Sequence, residues 1–133
     1  MTPARARCRP GPAAVVAGVV GLATAAGLAW LRPRRVVVEG RSMEPGLAPG
    51  DRLLVTRAGR VHPGDVVAVR DPRHPRRVLV KRVAAVLGDE VAVRGDNPGA
   101  STDSRHFGTV PARSVLGRVA RRYAPSWRAG PVR

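Results

Sequence analysis

Beyond residue 35 the chain is written in short valine-rich runs separated by turn formers: 36–39, 52–56, 66–70, 77–87, 90–94 and 115–120. "EVAVR" (90–94) alternates, and "VVAVR" (66–70) is read with it as the period of strands with one buried face. Gly-Asp pairs at 50–51, 64–65, 88–89 and 95–96 mark turns between the runs. In "RDPRHPRR" (70–77), Pro72 and Pro75 cannot donate to a ladder, which predicts a hairpin tip. No long helical period follows residue 35. The pattern predicts a mostly β, compact antiparallel domain over 36–120. After it comes a basic tail, 121–133, whose "YAPSWRAGPVR" reads as a loose end.

The first quarter has another character. A basic segment, 1–12, precedes the residues from Ala13 to Leu31, which carry no charge and Thr24 as their one polar side chain. As a helix rising about 1.5 Å per residue, that stretch reaches roughly 28 Å, close to the hydrocarbon thickness of a bilayer. Trp30 falls at interfacial depth, and Ala17, Gly21 and Ala25 suit close helix packing. The expectation is one N-terminal transmembrane helix over 13–31. The competing reading is a cleaved signal peptide, with Ala23-Thr24-Ala25 as the cleavage site. Three arginines flank each side (Arg5, Arg7, Arg9; Arg32, Arg34, Arg35), so charge alone sets no orientation.

Composition narrows the field. A chain of 133 residues holds one domain plus an appended segment. Its four aromatics are Trp30, Phe107, Tyr123 and Trp127, so the core is built from Val, Leu and Ala. One cysteine, Cys8, allows neither an internal disulfide nor a cysteine-rich zinc site. No His, Cys or carboxylate cluster has ligand spacing, so no metal or organic cofactor is expected. A net charge of +15 raises the question of nucleic acid. The arginines are scattered and lack interleaved aromatics to stack bases, so nucleic-acid binding is not expected. Anionic lipid head groups use the same charge equally well.

Candidate chemistry starts at "VVVEGRSMEPGLAPGD" (36–51), where Ser42 sits among turn formers. A serine there either bonds its own backbone or is a nucleophile that needs a base. The histidines are poor bases by context: His62 and His74 precede prolines, and His106 follows an arginine. Of 24 cationic residues one is a lysine, Lys81, inside the apolar run "VLVKRVAAV". Arginine cannot be deprotonated in a protein, whereas a desolvated lysine can. Serine paired with lysine is a recurring variant of the serine–base arrangement. Moving a lysine from about 10.4 to roughly 8 corresponds to about 3 kcal/mol against its charged form. Burial among Val78, Leu79, Val80 and Val83, with Arg82 adjacent, is the expected source.

"GRSMEPGLAPGD", "HPGDVVAV", "VKRVAAVLGD" and "RGDNPGASTDSRHFGTVPARSVLGRV" follow one another in the order and character of the motifs of type I signal peptidases. Over about Val38 to Val119 the chain resembles these membrane-anchored serine–lysine endopeptidases. The resemblance implies their β-rich catalytic core, Ser42 as nucleophile and Lys81 as general base. It makes Ser101 the residue that orients the lysine, and the Ser42 backbone N–H the oxyanion donor. It makes Asp103 and Arg105 an ion pair, while Asp96 and Asn97, after Gly95, shape the loop behind the site. Met43 would line shallow pockets for small side chains, beside Gly40, Pro45 and Arg82.

Departures are equally plain. Gly40 stands where some bacterial relatives carry a serine that donates to the oxyanion, and Gly46 stands where threonine is common. Twelve residues, 83–94, separate Arg82 from Gly95, where larger relatives insert a second β-domain. This is a minimal form, comparable in size to mitochondrial inner-membrane peptidases and to proteases that mature nickel superoxide dismutase. The resemblance implies precursor proteins with signal or leader peptides as partners, together with a lipid bilayer. It implies an inner-membrane location with the catalytic domain on the extracytoplasmic side. A maturase for a single precursor and an inactive membrane-associated binding module are the alternatives.

Overall fold

A computed structural model describes residues 32–133. They form one antiparallel sheet of eight strands: β1 (Arg34–Val37), β2 (Arg52–Thr56), β3 (Val66–Arg70), β4 (Val78–Leu87), β5 (Glu90–Arg94), β6 (Val110–Pro111), β7 (Val115–Ala124) and β8 (Gly130–Pro131). The order is β1-β2-β7-β3-β4-β5-β6, with β8 against β7. One short helix, α1 (Ser104–Phe107), lies between β5 and β6. Among the described residues no helix is long and apolar enough to cross a membrane. The basic segment 1–12 and the anchor expected over 13–31 lie outside the described residues.

The mostly β, antiparallel expectation holds, and the turn signals explain the connections. Gly88-Asp89 joins β4 to β5 directly, with Leu87 opposite Glu90 and Gly88 at φ +62°, the left-handed conformation a two-residue hairpin needs. Residues 71–77 close the β3–β4 hairpin where the prolines predict it. The first strand begins and ends two residues earlier than expected, since Val38 leaves the ladder and is buried.

Two further differences have physical causes. "VVAVR" is not half-buried: Val66 to Val69 are all buried, because β3 lies between β7 and β4 and carries a core cluster on each face. Val66 and Ala68 pack with Met43, Leu47 and Leu53; Val67 and Val69 pack with Val83, Val91 and Val93. Small β-branched residues suit such a two-sided position. "EVAVR" does alternate as read.

The second difference is the tail. Residues 121–133 are not loose. β7 runs on to Ala124, the chain turns through Ser126–Arg128, and Gly130 pairs back with Arg122. Val132 packs on the core. The reason is buried charge: Asp51, 1% exposed, pairs with Arg122 at 3.0 Å and with Arg128 at 3.4 Å. Arg122 also donates to the Gly46 carbonyl and, through Nε, to that of Arg128. The segment therefore straps the 38–51 loop to the sheet. Replacing Arg122 with leucine strands a buried carboxylate, and the expected cost is about 2–3 kcal/mol, the remaining Arg128 contact keeping it at the low end. A thermal melt should fall by roughly 10–20 °C. The exposed neighbour Arg121→Leu should change stability by no more than about 0.5 kcal/mol. Equal melts for the two variants would refute the strap.

Candidate active site

The loop after β1 delivers Ser42. Gly40 takes φ +79°, which an L side chain rarely adopts, and reverses the chain there. Met43 and Leu47 are then buried in the core, joined by a bond from the Leu47 N–H to the Met43 carbonyl. With its neighbour anchored, Ser42 is held half-buried at the loop's shoulder. The loop is closed at its base by bonds between Val38 and the backbone of Asp51 and Gly50. Asn97 fastens its crest, its N–H donating to the Ser42 carbonyl at 2.9 Å and its side-chain amide to that of Arg41 at 3.1 Å. Pro45 follows a cis peptide bond and is exposed.

Lys81 comes from β4, opposite Val67 of β3, and is 3% exposed. Its Nζ donates to Ser101 Oγ at 3.0 Å, and Ser101 Oγ donates to Asp103 Oδ2 at 2.7 Å. Asp103 also accepts from the Gly95 N–H at 2.9 Å and from Arg105 Nε and the Arg105 backbone N–H at 2.9 and 3.1 Å. The Arg105 guanidinium closes the ion pair at 2.6 Å. With so many donors, led by Arg105, the Asp103 carboxyl stays far below the usual carboxylate range despite burial. Asp103 also caps α1, which fixes Arg105 beside it.

Burial is the main force lowering the pKa of Lys81. The Asp103 charge opposes it, while Arg77, Arg105 and Arg73 push the same way as burial. The sequence pointed to Arg82 for that push. Arg82 instead lies one position along the strand, bonded twice to Asp96 at 2.8 Å and once to the Gly64 carbonyl. It is a brace for the 95–97 turn.

Ser42 and Lys81 open onto one cavity of about 450 Å³. Its first wall is the Val36–Met43 stretch, its second the start of β4, with Ala100 and Thr102 between. Gly40 lines it, as does Met43, whose side chain belongs mainly to the core. A hydroxyl and a desolvated amine facing the same space are the components of serine–base acyl transfer. Among the described residues no cluster of His, Cys or carboxylates could hold a metal ion.

Residues 12–97 and 90–124 match the family described as signal peptidase, peptidase S26. The chain belongs to that family. Mitochondrial ATP-independent inner membrane protease subunit 1a of Arabidopsis thaliana is 36% identical over 72% of this chain and 73% of the relative. Mitochondrial inner membrane protease subunit 1 of Xenopus tropicalis is 31% identical over 74% and 73%. Subunit 2 of the Homo sapiens protease is 36% identical over 55% and 57%. The family suspected from the sequence motifs is thus the one matched, and its members are peptidases.

Among the described glycines Gly95 is the most tightly enclosed. A Cβ there would lie 2.2 Å from Ser101 Oγ and 2.6 Å from the Ser42 carbonyl oxygen. Gly95→Ala must therefore displace the lysine's partner and the serine's backbone together. We expect about 1–3 kcal/mol of destabilisation and roughly a hundredfold loss in kcat, because about 1 Å of misplacement costs that much. Kinetics and a thermal melt on the same preparation check both. The hairpin-tip arginines and Thr102 at the cavity escaped sequence reading, as did the Asp51–Arg122 pair. Charges at a turn give no sign of what they face.

Proposed function

We propose that this protein is a membrane-anchored serine endopeptidase that removes signal or leader peptides from precursor proteins, with Ser42 as nucleophile and Lys81 as general base. The single observation that carries the reading is the Lys81–Ser101–Asp103 hydrogen-bond chain, whose lysine lines the same cavity as Ser42. Asp103 accepts a hydrogen bond from the Ser101 hydroxyl, which leaves the Ser101 lone pairs toward the lysine and orients its amine.

The neutral amine takes the Ser42 hydroxyl proton as Oγ attacks the substrate carbonyl carbon. The oxyanion so formed is met by the Ser42 backbone N–H. Collapse breaks the C–N bond, Lys81 returns the proton to the leaving amine, and the acyl group stays on Ser42 as an ester. Water, deprotonated by the same amine, then releases the carboxylate product and restores the serine. The Arg82–Asp96 brace, with Asn97 after it, keeps the loop in register through both steps.

Three things support the anchor and the membrane setting: the apolar stretch 13–31, the family match that takes it in, and relatives named inner membrane proteases. The catalytic domain stands on the extracytoplasmic side, where leader peptides emerge. A survey of protein N-termini in host membranes, wild type against Ser42→Ala, tests the reading. We expect precursors that keep their leaders in the variant. Many would mark a general signal peptidase, and one would mark a dedicated maturase. No change, with the variant present and folded, would sink the catalytic reading.

A further inference from the structure

The second wall of the cavity ends in the β3–β4 hairpin tip, and that tip is rigidly built. Asp71 is fully buried and accepts from the Arg73 backbone N–H and from both ends of its guanidinium, at 2.9–3.0 Å. Arg73 in turn lies over the Phe107 ring at 5.5 Å, which seats the tip against α1. Backbone bonds from Asp71 to Arg77 and from Arg77 to His74 close the turn. The tip is a fixed part of the wall.

Charge along the cavity is uneven. Arg73 is neutralised by Asp71, and Arg41 by Glu44 at 3.0 Å. Arg76 and Arg77 also line the cavity and are exposed, and among the described residues no carboxylate lies within ion-pair distance of either. Glu39 lines the opposite wall. The cavity thus has an acid on one side and, on the other, two guanidiniums without a carboxylate partner among the described residues. Guanidinium is a forked donor that matches a carboxylate.

Resting on the peptidase reading above, we infer that Arg76 and Arg77 select substrates with an acidic side chain within a few residues of the cut bond, on the side facing the hairpin tip. The tip lies at the mouth that also holds Ser42 and Lys81, so the occupant it reads is the chain being cut. An anionic lipid surface would need no cavity.

The test uses the full chain in phosphatidylcholine vesicles. Paired peptides with alanine fixed at both small-residue positions before the cut carry either Asp or Asn, scanned over the position between those alanines and the three positions after the cut. At one or more positions, wild type should prefer Asp by about fivefold in kcat/KM, mostly through KM, the size expected for one or two exposed ion pairs. In the Arg76→Gln/Arg77→Gln variant that ratio should fall to about one. Arg77→Gln alone should also move the pH limb of the neutral peptide upward, since Arg77 helps hold the Lys81 pKa down, whereas Arg76→Gln should leave the limb in place. A wild-type ratio near one at every position overturns the inference, as does a preference that survives in the double variant. An equal loss for both peptides, seen only after phosphatidylglycerol is added, makes the tip a lipid contact and also overturns it. If wild type cuts neither peptide and matches Ser42→Ala, the peptidase reading fails and this inference falls with it.

Discussion

Lys81→Arg should abolish cleavage, with kcat reduced by at least about a thousandfold, while the protein stays folded. Arginine keeps the positive charge and much of the length but has no neutral form to accept the Ser42 proton. The pH profile gives the finer test. Burial holds the Lys81 amine below its ordinary value of 10.5, so the neutral amine that the proposed mechanism requires appears as pH rises through that lowered value. Wild-type kcat/KM should climb on a limb lying below pH 10.5, and the arginine variant should show no limb. A variant retaining a tenth of the activity would remove Lys81 from the role of base.

The same shift bears on stability, with a definite sign. The unfolded chain binds a proton at this lysine more tightly than the folded one does. Below the folded pKa the penalty is therefore complete; it shrinks as pH rises and vanishes above 10.5. Lys81→Met, of similar volume and uncharged, should consequently melt higher than wild type at pH 7. The gap should close toward pH 10. A site that costs stability and returns it on removal of its base is what a functional group, and not a packing group, should show.

Much of this was legible beforehand, for reasons that differ by residue. Lys81 stood out because it is the one lysine in an arginine-rich chain and sits in an apolar run, both sequence properties. The hairpins were legible because glycine and proline impose local geometry at Gly88 and at Pro72 and Pro75. Burial of β3 on both faces was not, because it depends on which strands become its neighbours: β7 comes from 51 residues away (Val67 opposite Arg118). The strap at 121–133 was hidden by the same distance. Its arginines look like a solvated tail until Asp51, 71 residues from Arg122, is brought beneath them. The Ser101 and Asp103 geometry was reachable only through the motif resemblance. Nothing in their spacing says that one hydroxyl bridges a lysine and a carboxylate.

Asp103→Asn should be the most damaging single change outside the serine and the lysine. The carboxylate is fully buried and takes bonds at both oxygens from Ser101, Gly95 and Arg105. An amide in either orientation turns an NH₂ group toward donors, leaving them unpaired and the Arg105 charge uncompensated. The expected cost is about 3–5 kcal/mol, or roughly 12–40 °C in a thermal melt. Wild-type stability from this group is complete above the ordinary carboxylate value of 3.8 and drains away as pH falls below it, because the folded pKa lies lower. The variant should therefore lose its excess instability as acid is added, and the two melting curves should converge toward low pH. On activity two effects separate. Ser101, without its acceptor, no longer orients the amine, so kcat should fall about a hundredfold. Meanwhile the loss of a negative charge that raises the Lys81 pKa should move the surviving activity limb to lower pH. A purely structural lesion would lower activity without moving that limb; only a carboxylate electrically coupled to the base shifts it toward acid.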